Sequence, residues 1–92
     1  MSDGDLRKHL ATLITQLVAN LVDHPDSIQV RFEVGEATTV FYIDTDQRNM
    51  GQIIGTHGKN INSLRTIITA IAGKNNIRAI IEIPYFDRPT PS

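Results

Sequence analysis

A chain of 92 residues, 40% hydrophobic and 21% charged, has room for one modest core and is too ordinary in composition for a disordered, collagen-like or disulfide-built protein. It has no cysteine, which removes disulfides, thiolate nucleophiles and cysteine metal sites, and its formal net charge of -1 lacks the basic balance usual in nucleic-acid binders. No run approaches the ~20 apolar residues of a membrane helix, and the acidic start Met1-Ser2-Asp3-Gly4-Asp5 is unlike a secretory leader, so a cytoplasmic protein is expected.

Ser2 with Asp5 three residues on resembles a capping box, and Leu6, Leu10, Leu13, Ile14, Leu17, Val18, Leu21 and Val22 then recur at helical spacing. This helix is expected to stop near Asp23-His24-Pro25, because Pro25 disfavours helical geometry at His24. Ile28, Val30, Phe32 and Val34 alternate with Gln29, Arg31 and Glu33, the period of a strand with one buried face. Gly35-Glu36-Ala37 reads as a hairpin turn into Thr39-Val40-Phe41-Tyr42-Ile43, a run apolar on both faces and therefore expected to be a central strand.

Asp44, Thr45 and Asp46 offer N-caps for a short helix carrying Met50, Ile53 and Ile54 on one face and ending at Gly55. After Gly58 a second helix places Ile61, Leu64, Ile68 and Ile71 on one face, with Gly73 as the expected C-cap. Ile77, Ala79, Ile81 and Ile83 alternate in a last strand, which Pro84 ends. The order helix, strand, strand, helix, helix, strand predicts an α+β domain over residues 1–84. Its three-stranded mixed sheet has strands two and three parallel through a right-handed crossover, and all three helices lie on one face. Residues 85–92 read as a frayed tail.

The chemistry concentrates between the last two helices. Gly55-Thr56-His57-Gly58 is preceded by Ile53-Ile54 and followed by Lys59, and from Arg48 to Arg78 the chain has no acid while carrying Arg48, Lys59, Arg65, Lys74 and Arg78. Glycines let a backbone approach a sugar-phosphate chain closely, and the amides opening the second helix present donors and a positive dipole end. The bland readings are a helix–helix turn for the glycines and solvated helix charges for Lys59 and Arg65.

This constellation resembles the KH family, whose hallmark is an Ile-Gly-x-x-Gly segment linking two helices beside a three-stranded sheet, and the element order matches its type II arrangement. Leu21-Val22-Asp23-His24-Pro25-Asp26-Ser27, Met50-Gly51-Gln52-Ile53-Ile54-Gly55 and Asn62-Ser63-Leu64-Arg65-Thr66-Ile67-Ile68 are similar to the small stand-alone bacterial KH proteins of the KhpA family. The resemblance implies that about four nucleotides of single-stranded RNA are gripped through Ile54, Gly55, Thr56, His57, Gly58, Lys59 and Arg65, over an apolar floor of Ile53, Ile54, Ile61 and Leu64. It further implies an RNA chaperone or post-transcriptional regulator, and pairing with itself or with another KH-containing protein. Close relatives usually carry Lys or Arg at a middle position of the loop, where this chain has Thr56 and His57. Modest, salt-sensitive and weakly sequence-selective binding is therefore expected.

The alternative is a KH-fold dimerisation or protein-interaction module whose RNA binding is weak or partner-dependent. A duplex-DNA reader would have only Asn60, Asn62 and Arg65 suited to base edges on its second helix. A nucleotide-hydrolysing phosphate loop fails, because Ile53 stands where a glycine is needed and Asn60 where Ser or Thr is needed. No nucleophile–base set, metal-ligand spacing, cofactor motif or small-molecule site is apparent, and His9, His24 and His57 lack zinc-like spacing, so neither catalysis nor a metal is expected.

Overall fold

The computed structural model describes residues 2–84; the expected tail at 85–92 lies outside the described residues. Helix α1 spans Asp3–Ala19, and Ser2 caps it, its hydroxyl accepting from the Asp5 amide at 3.2 Å. The helix ends four residues before the expected stop. Leu21 N–H turns back to the Val18 carbonyl at 2.9 Å, closing a tight last turn, and the Asn20 side chain donates to the Gln16 carbonyl at 2.7 Å. Leu21 and Val22 keep the apolar helical spacing but not the helix. A 3₁₀ turn at Pro25–Ser27 then leads into β1, Gln29–Val34.

Strand β2 (Thr39–Asp44) pairs antiparallel with β1 and parallel with β3 (Ala79–Glu82), giving the order β1-β2-β3. The expected central strand and parallel crossover are both present. Register puts Phe32 opposite Phe41 and Phe41 opposite Ile81, all on the face that meets the helices. On that face Thr39, Phe41 and Ile43 are buried, whereas Val40, Tyr42 and Asp44 are only half-buried on the other. β2 is therefore covered on one side rather than both. On the open face Arg31 lies over the Tyr42 ring at 4.2 Å and donates to Asp44 Oδ2 at 2.7 Å, so charge and a cation–π contact cover apolar sheet surface.

Helix α2 spans Gln47–Ile54 and α3 spans Lys59–Lys74. The core joins Leu10, Ile14 and Val18 of α1 to Phe41 and Ile43 of β2, Ile53 of α2, Ile61, Leu64, Ile68 and Ala72 of α3, and Ile81 and Ile83. Gly73 does not end α3. The helix continues through it to Lys74, and Asn76 takes the left-handed position instead, at φ 62.

Candidate nucleic-acid interface

Helix α2 is set by a polar frame at both ends. At its start Asp46 Oδ1 accepts from the Arg48 amide at 3.0 Å and Oδ2 from Arg48 Nη2 at 2.7 Å. The Arg48 side chain is the main cause that holds the Asp46 carboxyl below the usual carboxylate range. Its folded pKa thus lies below the unfolded one. The stabilisation is present above the unfolded value and is lost as pH falls through the folded value. Asp46→Asn is expected to remove this acid-limb dependence by losing the small Arg48-pairing contribution at neutral pH, while the helix cap itself is kept, because Asn caps helices as well as Asp. Denaturant midpoints collected across the acid range check it; an unaltered acid limb in the variant would exclude the role.

Along its buried side α2 carries Asn49, fully buried one helical turn ahead of Ile53. Its carbonyl oxygen accepts from the His24 amide at 3.1 Å, and its amide group donates to the His24 carbonyl and Ser27 Oγ, each at 2.8 Å, and to Thr45 Oγ1 at 3.1 Å. Gln52 Oε1 accepts from the Asp23 amide at 2.8 Å. The chain between α1 and β1 is thereby bolted to α2. Sequence reading missed this hub; its only signal was an amide at the helical position before a buried isoleucine.

The loop follows directly. Gly55, with φ 76 and ψ 172, occupies a backbone region essentially restricted to glycine. A Cβ there would come within 2.7 Å of Asn60 Cγ and 2.9 Å of the Asn60 backbone nitrogen. Asn60 is held in that place by a 2.8 Å bond from its side-chain amide to the Gln52 carbonyl, which joins the end of α2 to the first turn of α3. Thr56, His57 and Gly58 form a single 3₁₀ turn in which His57 (φ 56, ψ 28) and Gly58 (φ 75, ψ 16) are left-handed. No side chain caps the start of α3. The Gly58 and Lys59 amides close the turn on the Gly55 and Thr56 carbonyls, and the positive dipole end of α3 lies beside the exposed Thr56, His57 and Lys59.

The predicted site residues divide into three groups. Ile54, Gly55, Thr56, His57, Gly58 and Lys59 are brought together on one end of the domain, with Ile54 half-buried behind the loop. Ile53, Ile61 and Leu64 are buried in the core, at 5% exposure or less. Arg65 lies along α3 and donates through Nε and Nη2 to the Ile81 carbonyl at 3.3 and 3.1 Å, covering an acceptor on the edge of β3. Asn60, considered for base contact, is turned inward to Gln52.

The acid-free stretch does not form one basic patch. Arg48 is paired with Asp46, Lys74 stands at the far end of α3, about 22 Å from Lys59 at 1.5 Å per residue, and only Lys59 adjoins the loop. Among the described residues no group of His, Asp and Glu could hold a metal ion, and no helix is long and apolar enough to cross a membrane.

Comparison with known proteins places this geometry. A family model described as "KhpA/KhpB, KH domain" matches residues 11–83. The chain is 35% identical over 71 residues to the RNA-binding protein KhpA of Clostridium acetobutylicum, covering 77% of this chain and 95% of that one. With the protein of the same name from Chlamydia pneumoniae it shares 30% over 70 residues, covering 76% and 90% of the two chains. The corresponding protein of Listeria monocytogenes is 30% identical over 71 residues, covering 77% and 93%. No solved structure matches. With the helix pair, the glycine loop between them and the β1-β2-β3 sheet all in place, the chain belongs to the KhpA/KhpB KH-domain family.

Proposed function

We propose that this protein is a non-catalytic RNA-binding module that takes about four nucleotides of a single strand across the loop Gly55–Lys59. The carrying observation is the pairing of a glycine loop, its Gly55 packed against an Asn60 tied to α2, with an α3 start that no side chain caps. Backbone amides and a helix dipole suit a phosphate, and the left-handed Gly55, His57 and Gly58 bring the backbone close to it. The name "RNA-binding protein KhpA" carried by the relatives supports the same reading. Lys59 is the nearest cation, and Arg65 would have to leave the Ile81 carbonyl to reach a phosphate. Binding is therefore weak in charge and leans on the main chain. A cytoplasmic RNA chaperone or post-transcriptional regulator is the role this fits.

The test is anisotropy of fluorescent single-stranded RNA against salt, for the native protein and for Thr56→Asp with His57→Asp. Aspartate tolerates the left-handed backbone at position 57, so the variant is expected to fold while placing negative charge where phosphate belongs. The native protein should lose affinity with salt at a slope of about 0.7 per phosphate contacted, and the folded variant should not bind. Equal binding by both would remove the loop from the interface.

A second reading, pairing with another copy or another KH protein, is favoured by one feature. A shallow groove between α1 and α3 is lined by Leu17, Leu21, Leu64 and Ile67, with Leu21 at 37% and Ile67 at 48% exposure. If the face is an interface, Ile67→Asp lowers the mass measured by light scattering to that of one chain and leaves the fold intact. A native protein that already runs as a single chain, with no KH partner captured, would dismiss it.

A further inference from the structure

We propose that the cleft at the opposite end of the domain from the glycine loop is a second phosphate site, built on Arg7 and Arg78. The cleft measures about 270 Å³ and lies where the first turns of α1, the 35–38 turn and the segment entering β3 converge. Its two arginines come from positions far apart in the chain, yet both meet Thr39, Arg7 through its side chain and Arg78 through its main chain. Arg7 Nε donates to Thr39 Oγ1 at 2.7 Å, and the Thr39 amide donates to the Arg78 carbonyl at 2.8 Å. Thr39 is 1% exposed, so this anchor is fixed, and it holds the Arg7 fork by one nitrogen while leaving the other two.

Ion pairs among the described residues involve Arg31 and Arg48, and neither Arg7 nor Arg78 takes part in one. Glu36 lines the rim without pairing to either. Two like charges that pair with no carboxylate among the described residues, on a cleft that also holds Glu36, form a device for an anion rather than a structural bridge. Guanidinium forks match phosphate oxygens in bidentate geometry, and the Thr38 and Asn76 side chains add polar lining.

The site lies one length of α3 from the loop, about 24 Å for 16 residues. The edge of β3 runs between them, with Arg65 on Ile81 along the way. The phosphoryl group belongs either to a strand that continues past the loop, which rests on the RNA reading above, or to a free nucleotide.

Amide spectra of the native full-length chain titrated with inorganic phosphate and with a 5′-mononucleotide test the site without reference to RNA. Amides of Thr38, Thr39, Ile77 and Arg78 are expected to shift saturably, and to stay still in Arg78→Gln and in Arg7→Gln with Arg78→Gln. Arg78→Gln alone guards against misfolding, since the Thr39 anchor uses only the Arg78 main chain. The control Lys8→Gln with Lys74→Gln makes the same charge change outside the cleft and should leave the shifts intact. RNA then identifies the source. If the group is carried on a strand, the double arginine variant loses about tenfold in affinity for a long oligonucleotide, and about 0.7 of its salt slope, while a tetranucleotide binds as before. If it is a free nucleotide, long and short RNA are unaffected and only the mononucleotide response disappears. Absence of saturable shifts with phosphate or mononucleotide, together with unchanged long-strand binding, overturns the proposal whatever the loop does.

Discussion

Replacing Asn49 by leucine is expected to cost about 3 kcal/mol of stability, although the two side chains are of similar size. The substitution strands the His24 amide and breaks the bonds that the fully buried Asn49 makes to Ser27 Oγ and Thr45 Oγ1, while the His24 carbonyl keeps only the longer bonds from the Ser27 amide and hydroxyl. Orphaned backbone groups near an interior are expensive because water replaces a geometrically fixed amide poorly. For a domain of this size the loss corresponds to a melting temperature lower by about 15 °C. Gln52→Ala provides the contrast: its single bond to the Asp23 amide is solvent-exposed, so about 0.5 kcal/mol is expected. Calorimetry of both variants decides. Equal small losses would mean that the segment 23–27 is held by its neighbours and not by α2.

The second large effect separates the two glycines of the loop. Gly55→Ala forces a side chain into a glycine-only backbone region and drives its Cβ to 2.7 Å from Asn60 Cγ, so it is expected to cost about 3 kcal/mol and to displace the bond from Asn60 to Gln52. At Gly58 a Cβ meets Asn62 Nδ2 at 3.4 Å and Ile61 Cγ2 at 4.0 Å, both ordinary contacts, and the backbone is ordinary left-handed helix. Gly58→Ala should cost about 1 kcal/mol, and Gly58→Asn less, since asparagine visits that region readily. RNA affinity should follow the same order: Gly55→Ala loses it by shifting the start of α3, and Gly58→Asn keeps most of it. Chemical denaturation with parallel anisotropy measures both quantities. Indistinguishable variants would show that Asn60 yields easily and that Gly55 is present for access alone.

The periodicities of α3, β1 and β3, the central place of β2 and the glycine loop were all readable in the sequence, because each is written in local spacing. Three features were not. The end of α1 was obscured because Leu21 and Val22 keep the helical rhythm after the backbone has turned. The end of α3 was misplaced because Gly73, with open space around it, neither requires nor adopts a left-handed backbone, whereas Asn76 does. The open face of β2 looked apolar because Val40 and Tyr42 are covered there by neighbouring side chains, Arg31 among them, and not by a second layer.

In the candidate site, the residues that sequence pointed to are those whose types suit phosphate. The ones that fix α2 and the loop after it, Asn49 and Gln52 on the 23–27 segment and Asn60 on the end of α2, act through main-chain partners 25, 29 and 8 residues away, and no spacing rule encodes such bonds. Arg65 was legible as a nearby cation, but its hold on Ile81 depends on β3 being an edge strand.

The unequal connections within the sheet set an order of assembly. β1 and β2 are joined through residues 35–38, while β2 reaches β3 only through residues 45–78. Closing the longer connection costs about 2 kcal/mol more chain entropy than closing the shorter one. The β1–β2 hairpin with α1 is thus able to form early, and β3 joins only once α2, the loop and α3 have folded back together. The glycine loop lies inside the unit that closes last. Amide hydrogen exchange should therefore show α2, the loop, α3 and β3 opening as one cooperative block at lower free energy than the hairpin, so that weakening the loop loosens the strand at the far end of the crossover with it.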